Sequence, residues 1–314
     1  MEDYPKTLME FESRFSTEDG CRQYLRQLRW PKGFRCPHCG GSEYWQIREL
    51  LFQCKACHHQ TSVTAGTIFQ DTHLPLRIWF RAMWWVTSQK AGASALGLKR
   101  TLGCSYKTAW ILLHKFRRAM VRPGRDRLQG TVEVDETYLG GLEEGLRGRQ
   151  VDNKTLIAIA AQCQGKKIGR IRMQQVPDAS AESLQGFIQE SVNPGSVIRT
   201  DGWTGYAGLE SKGYRHKVIV LAGKRKSPSD LLPYVHRIAS LLKRWLLGTH
   251  QGAISHEHLD YYLDEYVFRF NRRTSRYRGK LFYRLIEQAV QIPPVTYDGI
   301  RQNVRGLRYG KHNQ

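Results

Sequence analysis

Apolar and polar positions divide the chain into a helical first part and a strand-rich second part. Leu76 to Lys90 places Trp79, Phe80, Met83, Trp84 and Val86 at helical spacing, which predicts a buried helix whose aromatic residues are core rather than a base-stacking platform. Gly92-Ala93 breaks that pattern. Ser94 to Leu102 and Tyr106 to Met120 then read as two helices joined at Gly103-Cys104-Ser105, with Ser105 as the second N-cap. Upstream, Ser16 to Leu28 predicts a helix capped by Ser16 or Thr17, with Tyr24, Leu25 and Leu28 apolar. Pro123-Gly124-Arg125-Asp126-Arg127 reads as a linker. Beyond it come strands at Thr131–Tyr138, Leu156–Ala161 and Ile168–Val176, a helix at Ser180–Ser191, and a short strand at Ser196–Arg199 that delivers Asp201-Gly202. Lys217–Val220 is a further strand, and Leu231–Leu247 a helix. Two loops interrupt this part, a Gly-rich one from Gly140 to Asn153 and a basic one from Gly223 to Ser229.

Cysteine spacing adds a metal site. Cys36-Pro-His-Cys39 is followed after fourteen residues by Cys54-Lys-Ala-Cys57, and four thiolates can close a tetrahedral Zn²⁺ with no open position, so the site is structural. Gly40-Gly41 suits the turn after the first knuckle, and Tyr44 to Phe52 is strand-like, which together describe a zinc ribbon. Two disulfides or a thiol redox pair are the alternatives, and no secretory signal supports the former. Cys21, Cys104 and Cys163 stand alone and read as small apolar residues. His38, His58 and His59 could substitute as ligands, although four thiolates already complete the set.

Charge points to the partner. The 314 residues carry 49 Lys and Arg against 28 acids, a formal net charge of +21, which favours a polyanion, nucleic acid first. An anionic membrane is the competing partner. However, the richest apolar stretch, Ile78 to Val86, contains Arg81 and is far shorter than a spanning helix. The N-terminus, Met-Glu-Asp-Tyr-Pro, lacks a basic and an apolar leader region, which predicts a cytoplasmic protein. The helix pair is a plausible helix-turn-helix that would place Ser105 to Lys107 in the major groove, with Lys115, Arg117 and Arg118 on phosphate; the alternative is an ordinary helical hairpin. The predicted organisation is a helix and ribbon over 1–70, a helix-turn-helix-like module over 71–127, a catalytic domain over 128–290 and a basic tail over 291–314.

The order of strands and helices after residue 128 is that of an RNase H-like α/β domain, a mixed sheet flanked by helices. In combination with the ribbon, the chain resembles the bacterial insertion-sequence transposases that join a zinc ribbon to an RNase H-like DDE (ISXO2-like) domain. The residues that carry the resemblance are Thr61-Ser-Val-Thr-Ala-Gly-Thr-Ile-Phe69 after the ribbon, Val132-Glu-Val-Asp-Glu-Thr-Tyr138-Leu-Gly-Gly141, Thr200-Asp-Gly202, His236 to His250, and Tyr262 to Arg273.

The resemblance implies a DNA transposase that cuts and joins strands by metal-dependent phosphoryl transfer, with Asp135 and Asp201 holding catalytic Mg²⁺ or Mn²⁺. Carboxylate oxygens are hard ligands suited to that task. Glu133 shares the strand face of Asp135 and is a reserve ligand, whereas alternation sends Glu136 to the other face. His236 stands where the family usually has glutamate, and His236, Ser240 and Lys243 fall on one helical face at i, i+4 and i+7, able to address one phosphate. Glu265 is the fallback acid, although Arg269 and Arg273 follow it at helical spacing. Lys243 and Arg244 would hold a phosphate or base beside the metals, and Arg269, Arg272, Arg273, Arg276 and Arg278, a basic stretch interrupted by Phe270 and Tyr277, would track the DNA backbone. Joining two element ends implies at least a dimer on DNA. The competing function is a DNA-binding regulator, or a decayed transposase in which His236 is the lesion.

Overall fold

A computed structural model of the chain describes residues 2–48, 51–140, 154–219, 231–252 and 254–302. The two predicted long loops, over 140–153 and 223–229, lie outside the described residues except for Gly140, as does the second half of the basic tail, 303–314. The first elements are α1 (Leu8–Arg14), α2 (Glu18–Arg29), strands β1 (Tyr44–Arg48), β2 (Leu51–Cys54) and β3 (Gln60–Ser62), then α3 (Leu76–Ser88), α4 (Ala95–Leu102) and α5 (Tyr106–Ala119). They are followed by β4 (Thr131–Leu139), β5 (Thr155–Gln164), β6 (Lys167–Val176), α6 (Ala181–Ser191), β7 (Val197–Thr200) and β8 (Arg215–Val218). The last are α7 (Pro233–His250), α8 (Leu259–Phe270), α9 (Gly279–Ala289) and α10 (Tyr297–Arg301). The chain divides into two compact units, 1–123 with 274–314, and 124–273.

In the first unit, β1, β2 and β3 form an antiparallel ribbon over a small core of Phe34, Phe52 and Val63. Side-chain hydroxyls begin its helices: Thr17 accepts from Gly20 N–H, Ser94 from Gly97 N–H and Ser105 from Thr108 N–H, at 3.0–3.1 Å. Gly103 closes α4 at φ 65°, a left-handed position that favours glycine. The aromatic residues of α3 are core, with Trp79, Phe80 and Trp84 buried. Phe11 stacks on Trp84 at 4.7 Å, and Phe282 of α9 meets Phe11 edge-on at 5.4 Å. The sequence order groups 274–290 with the strand-rich domain; α9 instead packs on α2, α3 and α5, because its apolar face, Leu281, Phe282, Leu285 and Ile286, fills their aromatic core.

The second unit is built on a five-stranded sheet ordered β6-β5-β4-β7-β8. β4, β5 and β6 are antiparallel neighbours, while β4–β7 and β7–β8 are parallel. Val132 and Val134 of β4 face α6 in one apolar cluster with Phe187 and Ile188, and Ile157 and Ile159 of β5 face α7 and α8 in the other. β5 is buried over Thr155 to Gln162, as a central strand covered on both faces must be. This is the mixed, helix-flanked sheet predicted from the sequence. No helix among the described residues is long and apolar enough to cross a membrane.

Candidate active site and zinc centre

The four predicted cysteines converge. Their sulfurs all lie within 4.8 Å of one another, with Cys36 Sγ 3.6 Å from Cys57 Sγ and Cys39 Sγ 3.5 Å from Cys54 Sγ. Zn–S bonds of about 2.3 Å in a tetrahedron demand sulfurs about 3.8 Å apart, so this set fits zinc. Against the cost of desolvation, backbone N–H groups of Cys39 and His38 point at the Cys36 sulfur and lower its pKa; against the backbone N–H of His59, burial and the neighbouring thiols raise that of Cys57, so without a metal the cluster shares its protons. His38, His58 and His59 do not join the cluster.

Parallel pairing of β4 with β7 explains the carboxylates. Thr131 pairs with Val197, Val132 with Ile198 and Glu133 with Arg199, so the same register carried two residues further sets Asp135 level with Asp201, just past the end of β7. Paired residues on adjacent strands lie about 5 Å apart and share a face. For Asp135 that is the face opposite Val132 and Val134, the one α7 and α8 cover. Asp201 Oδ1 accepts from Trp203 N–H at 3.0 Å, which turns the chain immediately after the carboxylate. Asp135 and His236 meet: His236 Nε2 lies 3.6 Å from Asp135 Oδ2, with the side chains 35% and 18% exposed. Among the described residues only the four cysteines group as three or more close candidate ligands; Asp135, Asp201 and His236 do not form such a group.

Glu133 holds the other end of this geometry. Its Oε2 accepts from the backbone N–H groups of Tyr234 at 2.8 Å and Val235 at 3.2 Å. α7 has Pro233 at its start and no side-chain cap of its own, so a buried carboxylate from β4 serves instead. His236 is the next residue, and its approach to Asp135 follows from that anchorage. Glu133 is thus committed to the helix rather than held in reserve as a ligand. Desolvation raises its carboxyl above the usual range, partly offset by the same two N–H groups and by Arg199. The signal for this role is present in the sequence: a helix that begins at proline without Ser, Thr, Asp or Asn before it must find its acceptor elsewhere.

On the opposite face Glu136 Oε2 accepts from the Tyr206 hydroxyl at 2.6 Å. Burial first, then the charge of Glu136, Asp135 and Asp201, push that phenol well up. Thr200 Oγ1 donates to the Asp201 carbonyl at 2.7 Å and lies 2.8 Å from His216 Nε2, fixing the backbone at the strand end. Neither Tyr206 nor His216 is singled out by sequence pattern.

Several predicted cations are used inside the fold. Lys115 Nζ donates to Ile68 carbonyl oxygen at 3.3 Å beside the Trp79 ring, and burial lowers its pKa. Arg117 and Arg118 are buried. Arg272 and Arg273 donate to the carbonyls of Phe268 and Phe270 and lie over those rings at 4.0 Å, closing the C-terminus of α8. Glu265 is buried against Arg269 at 2.8 Å on α8, which packs on β6, two strands from β4. Lys107 is exposed with its amine 4.0 Å from the Tyr297 ring centre, and Ser240, Lys243 and Arg244 are exposed on α7.

The mixed five-stranded sheet flanked by helices and the four-cysteine ribbon are the two parts of the chain that match known families. Residues 127–271 match the ISXO2-like transposase domain and residues 16–60 the transposase zinc-ribbon domain. It is 27% identical over 287 residues to an uncharacterized protein in transposable element ISH50 of Halobacterium salinarum, covering 85% of this chain and 94% of the relative. Among solved structures, a simian T-cell lymphotropic virus intasome in complex with PP2A regulatory subunit B56 gamma is 16% identical with a TM-score of 0.32, over 64% of this chain and 74% of that one. A Mos1 strand transfer complex is 12% identical with a TM-score of 0.27, over 68% and 75%. The protein is a transposase, a polynucleotidyl transferase with a structural zinc site.

Proposed function

We propose that this transposase cleaves and joins DNA strands with Asp135 and Asp201 holding the catalytic Mg²⁺ or Mn²⁺ and His236 as the third member of the set. The observations that carry the reading are the β4–β7 register, which carried two residues on sets Asp201 past the end of β7 level with Asp135, and the His236 imidazole 3.6 Å from Asp135. Two carboxylates suit a hard divalent cation, which when bound supplies Lewis acidity at the phosphate and lowers the pKa of water.

The chain's own residues do the rest. Glu133 fixes the start of α7 and thereby aims His236 at Asp135. Ser240 and Lys243, on the His236 face of the helix, reach a phosphate about 6 to 10 Å along the axis, and Arg244 neutralises a neighbouring one. The Glu136–Tyr206 bond holds the back of β4, so that Asp135 has a rigid base. Water or a 3′-hydroxyl is the nucleophile, with no covalent protein intermediate. In the first unit, α5 would present Tyr106, 54% exposed, and Lys107 to duplex DNA. Two element ends joined in one reaction require at least a dimer on DNA.

The test is cleavage and strand joining on DNA carrying the element's own ends, with Mg²⁺ or Mn²⁺. Wild type should cut and join, and Asp135→Ala and Asp201→Ala should bind without doing either. If His236→Ala keeps wild-type rates with both metals, His236 has no place in the set. Binding by wild type with no cleavage under either metal would leave a DNA-binding regulator.

A further inference from the structure

The histidines of the zinc knuckles are not used by the metal, yet they are arranged. His58 lies nearly parallel to Trp45, at 19° and 6.0 Å between ring centres, and His38 to His59 at 16° and 5.6 Å. All four residues are exposed, and Trp45 presents half its surface from the edge strand β1. His58 adopts φ 58°, a left-handed conformation for which glycine is the unstrained choice, so the turn carries a ring at a cost. Lys55 Nζ is 6.0 Å from the Trp45 ring centre.

This surface continues into two hollows. The nearer, about 340 Å³, is lined by Lys55, Ser42 and Gly41 among others. The farther, about 630 Å³, shares Ser42 and is lined by Arg26, Lys32, Gln23, Gln27 and Trp30, with no acid among its lining residues. In the nearer one Glu43 is already paired with Lys55 at 3.4 Å.

We propose that the zinc ribbon is a single-strand DNA site, in which unpaired bases stack on Trp45 and His58 while the backbone runs past Lys55 into the cleft of Arg26 and Lys32. A cationic track beside exposed flat rings is the chemistry of unpaired strands, since every base has a stacking face. Bases inside a duplex already stack on each other, so a duplex offers these rings nothing. The inference rests on the reading of DNA as substrate, but it concerns binding, and transposition itself would use it at frayed or cleaved ends.

The experiment is fluorescence anisotropy of a short labelled oligonucleotide, as single strand and as duplex, with the full-length, zinc-loaded protein and no added Mg²⁺. Trp45→Ala should weaken single-strand binding about tenfold and change duplex binding less than twofold. Trp45→Phe should stay within about threefold of wild type, because it keeps a stacking face. Lys55→Ala should lower the salt slope for the single strand by about 0.7. Zinc content measured on each variant shows that the ribbon is intact. Equal losses on both DNA forms, or no loss on the single strand, overturn the proposal. Failure of wild type to cleave DNA would remove the catalytic reading and leave this result standing.

Discussion

Glu133→Ala separates a positioning carboxylate from a metal ligand. The change removes the acceptor of two first-turn N–H groups, those of Tyr234 and Val235, in a helix with no cap of its own. Leaving buried donors unsatisfied costs about 1–3 kcal/mol. Removal of a carboxylate whose own desolvation is unfavourable returns part of that, so a net loss of about 2 kcal/mol is the working figure. It corresponds to an acceleration of local hydrogen exchange of about thirtyfold. Exchange measured by mass spectrometry on the segment beginning at Leu231 should show that increase, with β5 as the unchanged reference. DNA cleavage should fall in parallel as His236 loses its aim. Glu133→Gln keeps the acceptor oxygen and relieves the desolvation, so it should match wild type in exchange and retain cleavage. The sign with pH follows. A carboxyl raised above its unfolded value favours the fold fully below about 4.5, and that contribution is lost as pH rises through the folded value; Glu133→Gln should abolish this dependence. Unchanged exchange in Glu133→Ala, or loss of cleavage with normal exchange in Glu133→Gln, would refute the positioning role.

Other expectations follow from specific contacts. Cys54→Ser should reduce bound zinc from one equivalent to none by elemental analysis and expose the ribbon to protease, because Cys54 is fully buried in the knuckle core. Gly205→Ala would place a methyl 2.6 Å from the Ala179 carbonyl oxygen and 2.8 Å from Trp203 Nε1, so it should destabilise the loop after Asp201 by about 2 kcal/mol in thermal unfolding. Lys243→Ala and Arg244→Ala should each lower the salt slope of duplex binding by about 1. Lys115→Met should leave duplex affinity within twofold, since that amine is spent on Ile68; a tenfold loss would put Lys115 on the DNA.

What sequence pattern could and could not supply divides along a physical line. Local chemistry was readable: Ser105 and Thr17 cap helices because a hydroxyl beside a helix start has one obvious use, and the cysteine spacing converges because a knuckle is nearly self-contained. Alternation along β4 correctly put Glu133 with Asp135 and Glu136 opposite, since a strand's period is two. It carried no information on what would arrive at that face from a hundred residues away. The arrival of α7 turned Glu133 into an anchor, and the packing of α5 on several neighbours buried Arg117 and Arg118 and half-buried Lys115, whose charges alone suggested a solvent-facing, phosphate-seeking side. The same reasoning explains Arg272 and Arg273. Five guanidinium donors can satisfy carbonyls at a helix end as readily as they meet phosphate, and only the fold decides between them. A cation of the second unit is therefore assigned to DNA by what its donors already hold, and on that criterion the exposed Lys243 and Arg244 remain for the substrate, ahead of arginines closing α8.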